Sequence, residues 1–385
     1  MRKLISAGIA ALTALSLLVG CGSASTATKE SAPAAEGEAA GSDLNIAILS
    51  APSGVDDGSF NQNNYEGIQA FISRNPGSKV TPIKEETGDP AACISVLSDV
   101  VADYDVIVCC GFQFSSLADV ATANPEVKFI LVDTEPTNSS GETVTLDNVY
   151  SMSFREQESG FCAGLAAALE TKSGKVASVH GVPIPPNVNY QWGFESGVNY
   201  ANAKLGTKAE IVELPSYAGT DVSGTDVGGN YVGDFADEAT GKVIGDALYD
   251  QGADIIFVSA GGSGNGVFTA AKERGNVFVI GCDVDQYSDG ENGSSNIVLT
   301  SVLKVMGMNV EKQLDAIKDG TFKGGNYLLG ADTGSTGFIS DSSRCQLSPE
   351  TIEKMNETFE KVKNGSIVPP SNFGGTTPKD FTGLK

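Results

Sequence analysis

The chain is poor in the residue types on which zinc and triad chemistry depend. It has one histidine, His180, at the end of the apolar run Val176 to Val179. With no partner histidine and no Ser or Cys motif around it, neither a zinc site nor a His-based catalytic centre is expected. Positive charge is also scarce: 25 Lys and Arg against 48 Asp and Glu leave a formal charge of -23. That deficit argues against nucleic acid or an anionic membrane surface as partner and makes a neutral or cationic ligand the better fit. Solubility at a crowded cell surface accounts for the acidity equally well. Of the seven cysteines, six follow Cys21: Cys93, Cys109, Cys110, Cys162, Cys282 and Cys345. None has paired metal-ligand spacing, and no metal or cofactor is expected. Cys109-Cys110 sit inside an apolar strand pattern, where they read as small core residues.

Long apolar runs are nearly absent. Arg2 and Lys3 precede the only one, Leu4 to Gly20, which is short for a membrane span and flanked as a secretory signal is. Its end, Leu18-Val19-Gly20-Cys21, resembles the bacterial lipoprotein box, which implies cleavage before Cys21 and a lipid thioether on its sulfur. Residues 21–43 are rich in Ser, Ala, Thr, Glu and Gly and read as a flexible tether. A signal (1–20), an anchor on Cys21 and a tether place a folded body on the extracytoplasmic face of a membrane. An even number of remaining cysteines permits disulfides in an exported chain, but a fold this large does not need them. Mostly buried free thiols are expected.

The remaining stretch, roughly 340 residues, is long enough for two lobes. From Leu44 onward short apolar runs alternate with helical patterns, as in Val106 to Cys110, Phe129 to Asp133, Val149 to Phe154, Ile255 to Ser259 and Val277 to Cys282. Helices are expected over Glu156 to Glu170, Gly193 to Asn202, Ala239 to Asp250, Met306 to Lys318 and Pro349 to Lys363. Nearly all-apolar strands fit parallel strands covered on both faces, so the class is α/β with two doubly wound parallel-sheet lobes. Residues 44–153 plus 285–327 are assigned to the first lobe, and 154–284 plus 328–385 to the second, with a hinged cleft between. Ser216 to Gly233, rich in Gly, Thr, Asp and Val, reads as a long exposed loop.

The first strand leads into Val55-Asp56-Asp57-Gly58-Ser59-Phe60-Asn61-Gln62 and then a helix. Ligands collect at such strand-to-helix turns, and this one carries carboxylates, a ring, a hydroxyl and amides, the means to grip a small flat polar molecule. An ordinary polar loop, with Ser59 or Asn61 capping the helix over Phe60, accounts for the same residues.

Several loops taken in order resemble the basic membrane protein family of bacterial lipoproteins, whose best understood members bind purine nucleosides for ABC import. They are Asp57 to Gln62, Gly111 to Phe114, Val132-Asp133, Phe154 to Gly164, Gly193 to Val198, Gly261 to Val267, Gly281 to Gln286 and Thr300 to Lys304. The resemblance implies a type I periplasmic-binding-protein-like fold and a monomer that delivers its ligand to a permease and an ATPase. It also implies a site. Phe60 would stack on one face of the base, and Phe235, or its rival Trp192, on the other. Asp57 or Asp133 would accept from the base edge, with Ser59, Asn61, Gly111 and Phe112 beside them. Asp283 would accept from the ribose hydroxyls, Lys304 would bind them too, and Gly262 and Gly264 would allow close approach. Gly58 departs from the family, many of whose members carry a lysine there, and Pro183 to Tyr190 matches no family feature. A sugar or other small polar ligand would suit the same cleft, since rings stack on sugars as well. A nucleoside hydrolase or glycosidase using Asp56, Asp57 and Asp133 would need an acid and a base at a defined separation, and no such spacing stands out; no catalytic residue is assigned. An adhesin or sensor role fits the anchored form equally.

Overall fold

The computed structural model describes residues 42–372 and 374–385; the expected signal segment, Cys21 and nearly all of the tether lie outside the described residues. The first lobe is built by β1 (Asn45–Ser50), α1 (Phe60–Arg74), β2 (Lys79–Lys84), α2 (Pro90–Val100), β3 (Val106–Cys110), α3 (Ala118–Ala123), β4 (Lys128–Val132) and β5 (Val149–Phe154). The chain then crosses over. The second lobe follows with α4 (Glu156–Glu170), β6 (Lys175–His180), α5 (Pro185–Lys204), β7 (Glu210–Ile211), α6 (Glu238–Asp250), β8 (Ile255–Ser259), α7 (Gly264–Arg274), β9 (Phe278–Gly281) and β10 (Val298–Lys304). Next, α8 (Met306–Lys318) and β11 (Gly325–Leu329) return to the first lobe, and β12 (Thr336–Phe338) and α9 (Pro349–Lys363) close the second.

Each lobe holds a six-stranded sheet, ordered β11-β5-β4-β3-β1-β2 in the first and β12-β10-β9-β8-β6-β7 in the second. The orders repeat: β1 to β5 correspond to β6 to β10, and β11 corresponds to β12. All pairings are parallel except that of β12 with β10, an antiparallel edge of the kind that α/β sheets often carry. The apolar strands have a simple cause. Ile46 and Ile48 of β1 join a core with Phe71 of α1 and Val310 of α8, while Ala47 and Leu49 join a separate core with Leu97 and Phe114 on the other face. A strand buried on both sides has no polar face to alternate.

The assignment of residues 285–327 to the first lobe needs correction. Residues 298–304 form β10, which pairs with β9 and β12 in the second sheet, and the crossing back comes only after Lys304. The expected helix from Gly193 begins eight residues earlier, at Pro185. Two prolines in its first turn cost nothing there, because those N–H groups have no helical partner. The stretch 216–233 is also more than a loop. Gly219–Thr220 and Asp226–Gly228 form a hairpin, and the buried Asn230 side chain bonds Leu214 N and the carbonyls of Ser178 and Val212. Val232 N then donates to His180 O, so the chain reaches Phe235 from a fixed point beside β6.

The helices that follow the first two crossings are clamped by glycine contacts. A β-carbon on Gly164 of α4 would collide with the Phe194 carbonyl of α5, and one on Gly67 of α1 with the Gly307 carbonyl of α8. Close backbone approach of this kind tolerates no side chain. Gly164→Ala is therefore expected to lower stability by roughly 1–3 kcal/mol, the usual cost of overpacking. The control is Gly337→Ala, whose added carbon would meet only Phe359 Cζ at 3.9 Å. Denaturant unfolding checks both; equal stability of the two variants would show that α4 and α5 can part without loss.

Candidate ligand cleft

The carboxyl ends of β1, β3 and β4 face those of β8, β9 and β10, and between them lies a cleft with about 640 Å³ of free space counted to its mouth. Its first-lobe wall includes Ser53, Asp57, Ser59, Phe60, Asn61, Gly111, Phe112 and Asp133; its second-lobe wall includes Ile184, Asn187, Phe235, Ser259, Asp283 and Lys304.

Asp57, not Ser59 or Asn61, caps α1. Its Oδ1 accepts from Ser59 N (3.1 Å) and Gln62 N (3.0 Å), and its Oδ2 from Asn61 N and Nδ2 (both 3.0 Å). Burial raises its pKa, against the pull of those N–H donors. With both oxygens engaged, Asp57 shapes the wall rather than offering a free acceptor. Ser59 is thereby released to span the cleft: its Oγ reaches Asp283 Oδ2 at 3.3 Å and the Cys282 carbonyl at 3.4 Å. Gln286 Nε2 and the Gly58 carbonyl, 3.4 Å apart, make a second bridge between the lobes.

At the base of the cleft sits one buried ammonium. Lys304 Nζ lies 2.6 Å from Asp133 Oδ2, 3.8 Å from Glu156 Oε1 and 4.0 Å from Asp283 Oδ1. The rings of Phe60, Tyr190 and Phe154 surround it at 5.0, 5.4 and 5.7 Å from their centroids, close enough for cation–π attraction. Burial works against the charge on Lys304, but Asp133, Asp283 and Glu156 outweigh it and raise its pKa. Burial likewise raises Asp133 despite the lysine, and pushes Glu156 up to about 8. Asp133 and Asp283 end corresponding strands and share a left-handed backbone, at φ 68° and 69°, the only non-glycine residues so placed among those described. Aspartate tolerates that conformation better than most residues. Tyr190 donates to Asp283 Oδ1 at 2.8 Å and fixes it from the second lobe.

Phe60 enters from the first lobe as the opening residue of α1. Phe235 enters from the second: its ring lies where β-carbons on Gly181 and Gly261 would otherwise project. Trp192 sits half-buried on α5 and is not part of the cleft wall. Nor are Gly262 and Gly264. A β-carbon on Gly262 would press on the Phe235 carbonyl of its own lobe at 3.1 Å and meet Ser53 of the facing lobe only at ordinary contact distance, 3.7 Å; one on Gly264 would meet Val258 inside its own lobe. Asn61 Oδ1 and Asp133 Oδ1 are buried with no hydrogen-bond partner. Sequence reasoning missed Ile184 and Asn187, which Pro185-Pro186 bring to the cleft in the first turn of α5, where Asn187 Nδ2 donates to the Ser259 carbonyl at 2.9 Å. Prolines directly after a strand are the signal that could have found them. His180 is buried behind the cleft between Ser259 Oγ (2.6 Å) and Ser178 Oγ (2.8 Å). The six cysteines among the described residues are buried free thiols, and no group of three or more His, Cys, Asp or Glu among those residues could hold a metal ion.

Comparison with known proteins agrees with this arrangement. The family model described as PnrA-like ABC transporter substrate-binding protein (Bmp) matches residues 45–215 and 223–372. The gap between the two matched segments, residues 216–222, falls in the hairpin stretch, so Phe235 lies inside the match. The CD4+ T-cell-stimulating antigen of Listeria monocytogenes is 30% identical over 345 residues, covering 85% of this chain and 88% of the relative. An ABC transporter nucleoside-binding protein, BmpA, of Lactococcus lactis is 30% identical over 348 residues with the same coverage. A solved solute-binding protein of an Aeropyrum pernix ABC transporter system superposes with a TM-score of 0.67 at 25% identity, over 86% of this chain and 94% of that one.

Two outcomes are expected. Lys304→Met leaves buried carboxylates without their cation and should cost about 3–5 kcal/mol in urea unfolding, whereas Arg344→Met at the partly exposed Asp285 pair should change less; equal effects would deny the lysine its central place. Burial drives the pKa of His180 down to about 3 from 6.5. The unfolded chain therefore binds a proton that the folded one refuses, and this group removes stability as pH falls from 6.5 towards 3. NMR of the single imidazole should show it neutral throughout pH 5–8, and a midpoint near 6.5 would refute its sequestration.

Proposed function

The chain belongs to the family of PnrA-like ABC transporter substrate-binding proteins, and on that premise we propose that it is a lipid-anchored receptor that closes its two lobes over a purine nucleoside. Its work is binding, not catalysis, and it acts on the extracytoplasmic side, handing its ligand to the permease and ATPase subunits of a transporter. In this reading Cys21 carries the anchor, the protein works as a monomer, and binding energy is used for hinge closure.

The observation that carries the ligand assignment is that rings from opposite lobes, Phe60 and Phe235, line the same cleft as a buried cluster of carboxylates and one ammonium. A purine offers two π faces, which the rings cover. Its N–H edge meets the unpartnered Asn61 Oδ1, with Ser53, Gly111 and Phe112 beside it. The ribose hydroxyls donate to Asp283 and accept from Lys304. The nucleoside-binding relative from Lactococcus lactis supports the same class of ligand. A sugar remains the competing ligand, because the lower cluster alone suits one.

Calorimetric titration of the soluble form, unfolded and refolded first to strip carried ligand, separates these readings. Adenosine, guanosine or inosine should bind one to one, and ribose should not. Phe60→Ala should weaken binding by about 1–3 kcal/mol, or roughly 5- to 150-fold. Asp283→Asn, which keeps a left-handed backbone accessible, should weaken it as well. Binding of ribose without any nucleoside response would discard the purine.

A further inference from the structure

A second cavity adjoins the cleft, and Phe112 and Asp133 belong to the walls of both. It is the larger of the two, with about 1110 Å³ of free space counted to its mouth. Its remaining wall is made of hydroxyls, including Ser115, Thr137 and Ser153, of apolar surface from Phe154 and Leu328, and of two further carboxylates, Glu135 and Glu156. None of its wall residues is a lysine, arginine or histidine. Asp133, on the boundary, has a side chain only 7% exposed, spends Oδ2 on Lys304, and leaves Oδ1 without a partner.

We propose that this chamber receives a substituent on the sugar end of the ligand, so that the site takes nucleosides extended at the 5′ position by a neutral or cationic group and rejects nucleotides. The inference rests on the nucleoside reading above. Asp283 and Lys304 hold the sugar beside Asp133, so the sugar lies against the boundary of the second chamber. The 5′ carbon is the one carbon of a ribose outside the ring, and with the 2′ and 3′ hydroxyls held by Asp283 and Lys304 it is the arm left to reach past Asp133 and Phe112. The chamber then decides by charge. A 5′-phosphate would be drawn out of water beside Glu135, where the one nearby ammonium, that of Lys304, is already committed to Asp133 and Glu156, a costly arrangement. A thioether or hydroxyl suits the apolar and hydroxyl surfaces, and an ammonium suits the carboxylates.

The test is competition calorimetry on the soluble form with whichever parent nucleoside binds, its 5′-methylthio and 5′-amino derivatives, and its 5′-monophosphate. The two neutral or cationic derivatives should bind within about tenfold of the parent and the monophosphate at least about 100-fold more weakly. Thr143→Trp, which fills the chamber from an exposed loop, should weaken both derivatives and leave the parent unchanged. Glu135→Lys, also at an exposed position, should weaken the 5′-amino derivative and strengthen the monophosphate. Binding of the parent with loss of both derivatives by about 100-fold in the unaltered protein would overturn the proposal and leave the nucleoside reading intact. Equal effects of Thr143→Trp on parent and derivatives would overturn it too. Failure of every nucleoside to bind would remove the underlying reading and this proposal with it.

Discussion

A single ammonium, that of Lys304, holds the cleft together. It is buried among three carboxylates that reach it from three different places: Asp133 after β4, Glu156 at the start of α4 and Asp283 after β9. A buried charge is tolerable only when paired, so the lysine and its partners must be placed together or not at all. That requirement ties the first lobe to the second at the point where the chain crosses between them. Glu156 opens α4 just beyond the first crossing, and Lys304 ends β10 just before the second. The neighbours of the cluster are fixed in turn. Tyr190 holds Asp283, Ser59 spans the gap to it, and Ser59 is free to do so because Asp57 has taken over the capping of α1. Removing any one of these shifts the load to the others.

The frame around the cluster is built to hold such a point still. Both crossing helices are pressed against a neighbour so closely that only glycine fits, α4 on α5 and α8 on α1. Interiors packed to that density transmit small displacements rather than absorb them. In the closure proposed here, motion between the lobes would fall on the chain crossings and on the contacts across the gap.

The α/β class was legible because strands such as β3, and β4 after its opening Lys128, are buried on both faces and carry no polar residue to blur them. What escaped had the opposite character. β2 runs along an open edge with an exposed, lysine-containing face and Pro82 within it, so it forms no apolar run, and with it went α2. β10 lies within residues 285–327, which the sequence reading assigns to the first lobe, because pairing partners are chosen by three-dimensional neighbours that spacing along the chain does not encode. In the cleft, residues lying in ordered motifs, such as Phe60, Asp133, Asp283 and Lys304, were found by resemblance. Gly264 belongs to such a motif and yet packs inside its own lobe, since a glycine needed for a ligand and one needed for a neighbour look alike. Glu156 lies inside the motif Phe154 to Gly164 and Tyr190 outside every such motif, and neither shows its place until the burial of Lys304 beside them reveals it.

The repeated strand order has an evolutionary meaning. Two sheets with the same sequence of crossovers, each ending its fourth strand in a left-handed aspartate, have the form of one ancestral half used twice. Two unaltered copies would offer a guest the same grip from either side, and it could lie in either direction. At the ends of the fifth strands the copies have parted: one carries Phe154, the other Lys304. That one divergence gives the cavity a head and a tail, and a molecule with unlike ends can be received only one way round.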